Sequence, residues 1–581
     1  QWFFAQQSED LHHWNQATLV SVSGRLQPEL LKAAVGVLLR HHDALRLRFR
    51  REGESWKAHY TAVSSPPMSI APLTVHDLSG VAVAEQRGEI ERLATAAQSS
   101  LNLSEGPLLR VHYYDLGVEQ GGRLLLVVHH LVVDIVSWSI LLDHLQHAYE
   151  QLEHGAKEVQ LPHKTTSYQQ WAEVLQEYAE SLPLLAQIDY WLDDKRLAVA
   201  SLPTDFSDGD NLESTTRQLS MSLEAEETRK LVFEVSKAGN VQVNEVLLAV
   251  LAETLSQWTG DKHVLIDVEG HGREETIDEV DLTRTVGWFT TIHPVLLTLE
   301  DDTSWEERLR TLTKQLRAVP KRGIGYGVLR YLSGKKDVVE RLESLPQAEV
   351  LFNYGRFVEG PEQERVEQRA PQFGPAGESA GPAHSARARR THLLEVNASI
   401  GGQQLFVRWS FSDRRHERAT VEKLAYEFLN ELRNLIASFQ ASEVSTGAIA
   451  QLSDEPPFWA PLVPLQQRGS KAPFFCVHPA GGSVLPLVDL ARQIRNNRGH
   501  HPVQYGLAQV PPFGQHGARR VTGRHAGGHQ GAEPDPGRLA GEAGQRGLHA
   551  SNPLTADGGD AAVAALVDQE VDVGARVALV E

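Results

Sequence analysis

Five consecutive apolar residues, Leu124–Val128, run straight into the polar string His129-His130-Leu131-Val132-Val133-Asp134. Such a run has the length of a strand, and apolar side chains at every position need cover on both faces of a sheet. Behind the string, Ile140, Leu141, His144, Leu145 and Ala148 recur at the spacing of an amphipathic helix. A buried strand followed by such a helix is the repeating unit of an α/β fold. Leu31, Ala34, Val35 and Leu38 mark another helix with Pro28 near its start. A second set follows: a helix near Asn244 to Leu255, a strand at Val264 to Val268, a helix about Trp305 to Leu316 and a last one about Thr420 to Ile436. Two sets predict two α/β lobes, residues 1–180 and 181–440. Pro183, Pro203, Asp208 and Gly209 interrupt the pattern between them.

At 581 residues, the chain has room for roughly 2 to 4 domains. Residues 441–465 read as a Pro-rich linker, and Glu359 to Arg390 as a surface loop. Phe474-Phe475-Cys476-Val477-His478-Pro479 opens a new segment, 466–513. From 514 to 581 there is no aromatic residue and no Lys, while Gly, Ala, Arg and His dominate to about Ala550. Ordering a residue costs about 1–2 kcal/mol of conformational entropy, and this tail has little apolar surface to offset it. It is expected to be poorly ordered, either a low-complexity tail or the product of a shifted reading frame.

The formal charge of −19 argues against a nucleic-acid partner, since phosphate binding needs a basic face. One cysteine, Cys476, leaves no disulfide framework and no cysteine zinc site, as in a reducing cytosol. No apolar run approaches the roughly 18–20 residues of a membrane span, so no membrane association is expected. Gln1-Trp2-Phe3-Phe4 is not a signal peptide, and without an initiator Met the chain reads as cut from something longer.

The end of a buried strand is where polar side chains emerge from an apolar wall, and a neutral imidazole there can exchange a proton near pH 7. Adjacent residues on extended backbone point to opposite sides, so one histidine of the pair faces the reaction and the other is structural. Asp134 is expected to hold the turn through a buried ion pair, with Arg46 as its first candidate partner. No metal site is expected: neighbouring histidines rarely converge on one ion, and there is no HExxH motif. Glu269-Gly270-His271-Gly272-Arg273-Glu274 also follows an apolar strand and offers a second acid/base carboxylate, its glycines allowing a tight turn or close approach to a ligand. Arg284–Thr290, Gly323–Gly327 and Phe352-Asn353-Tyr354-Gly355 mix glycine with aromatic residues, which suits backbone contact beside a tunnel and equally suits core turns.

These five segments, in this order and spacing, resemble the epimerization domains of nonribosomal peptide synthetases. Gln1–Phe4 and His12-His13-Trp14-Asn15-Gln16 resemble the family's opening motif and the segment after it, and Leu394–Ser412 its closing strands. The likeness covers residues 1 to about 440. It implies two lobes similar to chloramphenicol acetyltransferase, arranged as a V around a tunnel. It implies His130 as first-choice acid/base and Glu269 as its partner, with His129 and Asp134 structural. Tyr354, with Asn353 beside it, becomes a polar contact near the thioester. The activity implied is inversion of the α-carbon of an amino-acyl or peptidyl thioester, with no bound cofactor. The substrate arrives on the phosphopantetheine arm of an upstream peptidyl carrier domain.

Three departures stand out. Ile135 occupies the position after the motif Asp where the family has Gly, His293 stands where it has Tyr, and the Phe-Asn-Tyr segment is one residue short before Gly355. From Pro464, Val477-His478-Pro479-Ala480-Gly481-Gly482-Ser483 and then Tyr505-Gly506-Leu507 resemble the start of a type I thioesterase, an α/β hydrolase. No Gly-x-Ser-x-Gly elbow is expected in the chain, so the hydrolase start is incomplete and has no nucleophile. Two alternatives to epimerization remain at this point: a condensation domain forming amide bonds on the same fold, and a non-catalytic docking module.

Overall fold

The computed structural model describes residues 1–445 except 7–8, 54, 63–71, 119, 274–276, 278–279, 302 and 356–372; beyond 445 it describes the backbone of the strands Leu462–Gln466, Phe474–Val477 and Val503–Gly506. The apolar run lies in the strand Gly122–His129, at the middle of a five-stranded sheet. Its neighbours are Asn15–Val22, antiparallel, and Leu109–Asp115, with Leu73–Asp77 at the far edge. Both faces are covered, as the unbroken run requires. Leu124, Leu126 and Val128 pack with Leu31, Val35 and Leu38 of the helix Pro28–His41 and Leu141 and Leu145 of the helix Ile135–Glu153. Leu125 and Val127 pack with Ile90 and Ala94 of the helix Val83–Gln98.

The second lobe is built on a six-stranded sheet in the order Thr216–Ser222, Gln404–Ser412, Leu394–Gly401, Val350–Tyr354, His263–Gly270, Thr291–Thr298. One face carries Ile266, Phe352, Val396 and Trp409 into a core closed by the helices Val243–Thr259, Trp305–Arg317 and Arg418–Ser445. The register places Asp267 beside Leu351, Leu351 beside Glu395, and Asn397 beside Arg408 on the opposite face. A sheet that is apolar on one side and carries carboxylates on the other presents the second face to something polar.

Several segments cross between the lobes, two of them against the expected boundaries. Phe373–Pro375, within the stretch expected to be a surface loop, forms a strand paired with Val20–Val22 in the first sheet. Without it Asn15–Val22 would be an open edge with unpaired backbone groups. The helix Tyr168–Tyr178 precedes residue 181, yet its Trp171 packs with Leu282, Phe289 and Ile324 of the second lobe. Gly323–Gly327 is no core turn: Gly323, at φ +85° and close against His293, caps the helix Ile324–Tyr331.

Residues Gln1–Trp459 form one compact unit and Ala460–Glu581 another. In the latter, Phe474–Val477 pairs parallel with Val503–Gly506, which pairs antiparallel with Leu462–Gln466. The remaining residues of the expected hydrolase start and the whole of the tail lie outside the described residues. Among the described residues no helix is long and apolar enough to cross a membrane.

Candidate active site

Where the strand Gly122–His129 ends, the chain turns through the short helix His130–Val132 before the helix Ile135–Glu153 begins. The two histidines part company at that turn. His129 is fully buried; its Nε2 meets the Leu11 carbonyl at 2.9 Å, and its Nδ1 accepts the Leu131 N–H at 3.2 Å. Burial pushes it down to about 3, so the ring is a neutral structural bracket. His129→Ala is expected to lower stability by about 1–3 kcal/mol, because it strands a buried N–H and carbonyl. A thermal melt indistinguishable from wild type would contradict this.

His130 is half-buried between the rings of Trp14 and Trp288, at centroid distances of 4.9 and 4.8 Å. Its Nδ1 donates to the Val133 carbonyl at 2.9 Å. That bond fixes the tautomer and leaves the basic lone pair on Nε2. Nε2 lies 3.0 Å from Gln16 Nε2. Trp138 Nε1, which can only donate, holds the Gln16 carbonyl oxygen at 2.8 Å, so the amide must present its NH2 to His130. Removal from water pushes His130 down to about 4, so it is a neutral base at pH 7. Gln16 escaped notice as a site residue in the sequence; it arrives through the pairing of Asn15–Val22 with the motif strand.

Asp134 does not pair with Arg46. Arg46 follows the helix Pro28–His41 and is consumed there, by the Leu39 carbonyl at 2.6 Å and by Asp43 at 2.6 Å. The partner is Arg273, whose guanidinium grips both oxygens of Asp134 at 2.9 and 3.0 Å. The other arm of Arg273 donates to the Leu282 and Thr285 carbonyls, each at 2.8 Å. Asp134 also caps the helix Ile135–Glu153 through Ser137 N–H and accepts Phe289 N–H. Phe289 stacks under the Arg273 guanidinium at 4.1 Å, and its neighbour Trp288 faces His130. Gly272 makes this possible: its φ is +64°, and a Cβ there would lie 1.7 Å from the Phe289 carbonyl. The glycine serves close approach to backbone, where the sequence left a ligand equally open.

Glu269 lies four residues before Arg273, as His130 lies four before Asp134, so the ion pair joins the chain ends that carry the two acid/base candidates. Glu269 is half-buried at the end of the strand His263–Gly270, on the polar face that also bears Asp267 and Glu395. Burial, with added repulsion from Glu395, raises its carboxyl to about 7. Asp267 is held by His392 at 2.9 Å and Glu395 by Arg390 at 2.9 Å. Asn353 and Glu269 each follow the last paired rung between their strands, Phe352 with Val268, so Asn353 shares the face of Glu269. Tyr354 falls on the opposite face and packs against the core of the second lobe. His293 is buried in the strand Thr291–Thr298 and pushed down to about 4 by that burial.

One Gly-x-Ser-x-Gly string does occur, Gly377-Glu378-Ser379-Ala380-Gly381, against the expectation that the chain lacks it. It is no nucleophile elbow. Ser379 is exposed just after the bend Gly377–Glu378, its backbone N–H donates to Glu91, and Glu378 is tied to Arg123 at 2.9 Å. Among the described residues no strand-to-helix turn surrounds it.

Fold and site together define a two-lobed α/β domain of the chloramphenicol acetyltransferase kind, with a neutral imidazole and a carboxyl of raised pKa on strand ends linked by a buried ion pair. A family model described as "Condensation domain" matches residues 1–453, and the chain belongs to the condensation-domain superfamily of nonribosomal peptide synthetases. It is 44% identical over 450 residues to one of the proteins that make up the linear gramicidin synthase of Brevibacillus parabrevis, covering 77% of this chain and 6% of that protein. It is 39% identical over 448 residues to chondramide synthase of Chondromyces crocatus, covering 76% of this chain and 11% of that protein. The chain thus spans only a small share of these relatives. Among solved structures, the epimerization domain from the third module of tyrocidine synthetase B matches with a TM-score of 0.68 and 33% identity, over 76% of this chain and 96% of that one. The first condensation domain of the calcium-dependent antibiotic synthetase shares the fold, with a TM-score of 0.54 and 17% identity over 75% of this chain and 94% of that one.

Proposed function

We propose that this domain inverts the α-carbon of an amino-acyl or peptidyl thioester, delivered on the phosphopantetheine arm of an upstream carrier domain. The observation that carries the reading is the placement of two acid/base groups at strand ends tied by the buried Arg273–Asp134 pair, with His130 pushed down to about 4 and Glu269 raised to about 7. A thioester carbonyl acidifies the α-hydrogen by delocalising the carbanion as an enolate. Inversion needs a proton removed from one face and another returned to the opposite face, so it needs a base and an acid at once. His130 Nε2 is the base and protonated Glu269 the acid in one direction, with the roles exchanged in the other. No bound cofactor is required by this chemistry. The likeness to the tyrocidine synthetase epimerization domain supports the same reading.

Amide-bond formation is the second reading, favoured by the family's own description. Solvent-deuterium incorporation at the α-carbon of a carrier-bound aminoacyl or peptidyl thioester separates the two. Incorporation supports epimerization; its absence, together with peptide-bond formation between donor and acceptor carriers, would establish condensation. Absence of both would leave a docking module.

Ile135 is the first residue of its helix and 53% exposed, so it faces open space beside Asp134 and not the core. Ile135→Gly is expected to raise the inversion rate by widening the approach to His130. An unchanged rate in a folded variant would show that this side chain restricts nothing.

A further inference from the structure

Outside this site, three histidines converge where the helix Pro28–His41 ends against the helix Ile135–Glu153. His41 is the last residue of the first helix, His42 caps it, and His144 lies on the second. His42 Nε2 is 3.1 Å from His144 Nδ1. Ring centroids are 4.9 Å apart for His41 and His42, 5.3 Å for His41 and His144, and 5.1 Å for His42 and His144. One ring nitrogen of each lies within 4.8 Å of the others. We propose that His41, His42 and His144 form a structural site for a borderline transition-metal dication of the zinc class, tying the two helices together.

Donor spacing is the first argument. A tetrahedral ion with metal–nitrogen bonds of about 2.0–2.1 Å holds its ligands about 3.3–3.4 Å apart. The closest pair is already near that distance, and the third ring is within a small side-chain adjustment of it. Burial is the second. His42 and His144 are 4% and 0% exposed. Polar rings at core positions are costly unless something binds them. Ligand chemistry is the third. Imidazole ligates through a ring nitrogen in its neutral form. An all-imidazole donor set suits zinc, copper or nickel and not magnesium or calcium, which take oxygen. His41 is half-buried, which leaves a solvent side for a water as fourth ligand. The charges facing the cluster are mixed. Lys164, Arg46 and Arg284 oppose a cation; Asp43, held by Arg46 and Lys164, and Asp143, beside His147, favour one. The expectation of no metal site rested on neighbouring histidines, whereas His42 and His144 are 102 residues apart.

The test uses the full chain, stripped by chelator and titrated with Zn2+ while its melting temperature is followed, then with Co2+ while visible absorption is followed. With 26 histidines in the chain, binding elsewhere is separated by variants. Wild type is expected to gain melting temperature with Zn2+ and to develop intense tetrahedral Co2+ bands saturating at one equivalent. His144→Ala should lose both responses. His41→Ala, at the half-buried ligand, should keep its metal-free melting temperature and bind at least about 10–100-fold more weakly, the cost of losing even a partner outside the ligand shell. If His144→Ala fails to fold, His41→Ala decides alone. No bands in wild type, or bands and stabilisation unchanged in His41→Ala, would overturn the proposal.

Discussion

His130→Ala is expected to lower solvent-deuterium exchange at the substrate α-carbon by about 10²–10⁴-fold, the usual worth of a positioned acid/base group. The ring is half-buried and its only side-chain hydrogen-bond partner among the described residues is Gln16, so far-UV circular dichroism should be retained. Glu269→Gln should produce a loss of the same order by a different route, since the amide neither gives nor takes the proton. Stability should move the other way. The folded-state value of Glu269, about 7, lies above its ordinary 4.5. A group with a raised value stabilises the protein below its unfolded pKa, and that contribution is lost as pH rises through its folded pKa. Glutamine carries no ionising group, so at neutral pH the variant should be at least as stable as wild type. The rate should be bell-shaped in pH: His130 is the free base above about 4, and Glu269 holds its proton below about 7. Near wild-type exchange by His130→Ala would remove this histidine from the chemistry.

The parts of this site that were legible in the sequence are those written in one stretch of chain. Leu124–Val128 announced a doubly covered strand because every position is apolar, and the sheet has helices on both faces. The positions of His130 and Glu269 at strand ends were legible because an apolar run precedes each. What failed depended on contacts between distant segments. Arg46 was the natural partner for Asp134 only while the fold was unknown; Arg273 reaches it from 139 residues away. Tyr354 was expected at the site from the family resemblance, but alternation along its strand turns it to the core and leaves Asn353 on the side of Glu269. Phe373–Pro375 carries no strand signal of its own. Its structure is imposed by the open edge at Val20–Val22, a tertiary effect that local composition does not encode.

Asp134→Ala is expected to cost about 3–5 kcal/mol, the usual penalty for leaving one member of a buried ion pair without its partner. The side chains of Arg273 and Asp134 are 7% and 2% exposed, so water cannot replace the lost charge. The variant also loses the cap on the helix Ile135–Glu153 and strands the Phe289 N–H. Arg273→Ala should cost a similar amount and free the Leu282 and Thr285 carbonyls as well. On the proposed function inversion should fall in both, because this pair ties the turn after His130 to the turn after Glu269. Arg273→Lys distinguishes positioning from bulk stability. Lysine keeps the charge but loses the planar fork that engages both Asp134 oxygens and stacks on Phe289. It should recover much of the stability of Arg273→Ala in urea melts while kcat stays low. Full recovery of kcat with lysine would mean that charge alone suffices and that the bidentate geometry does not align the two acid/base groups. An Asp134→Ala variant with unchanged melting temperature and normal inversion would show that the pair bears neither role.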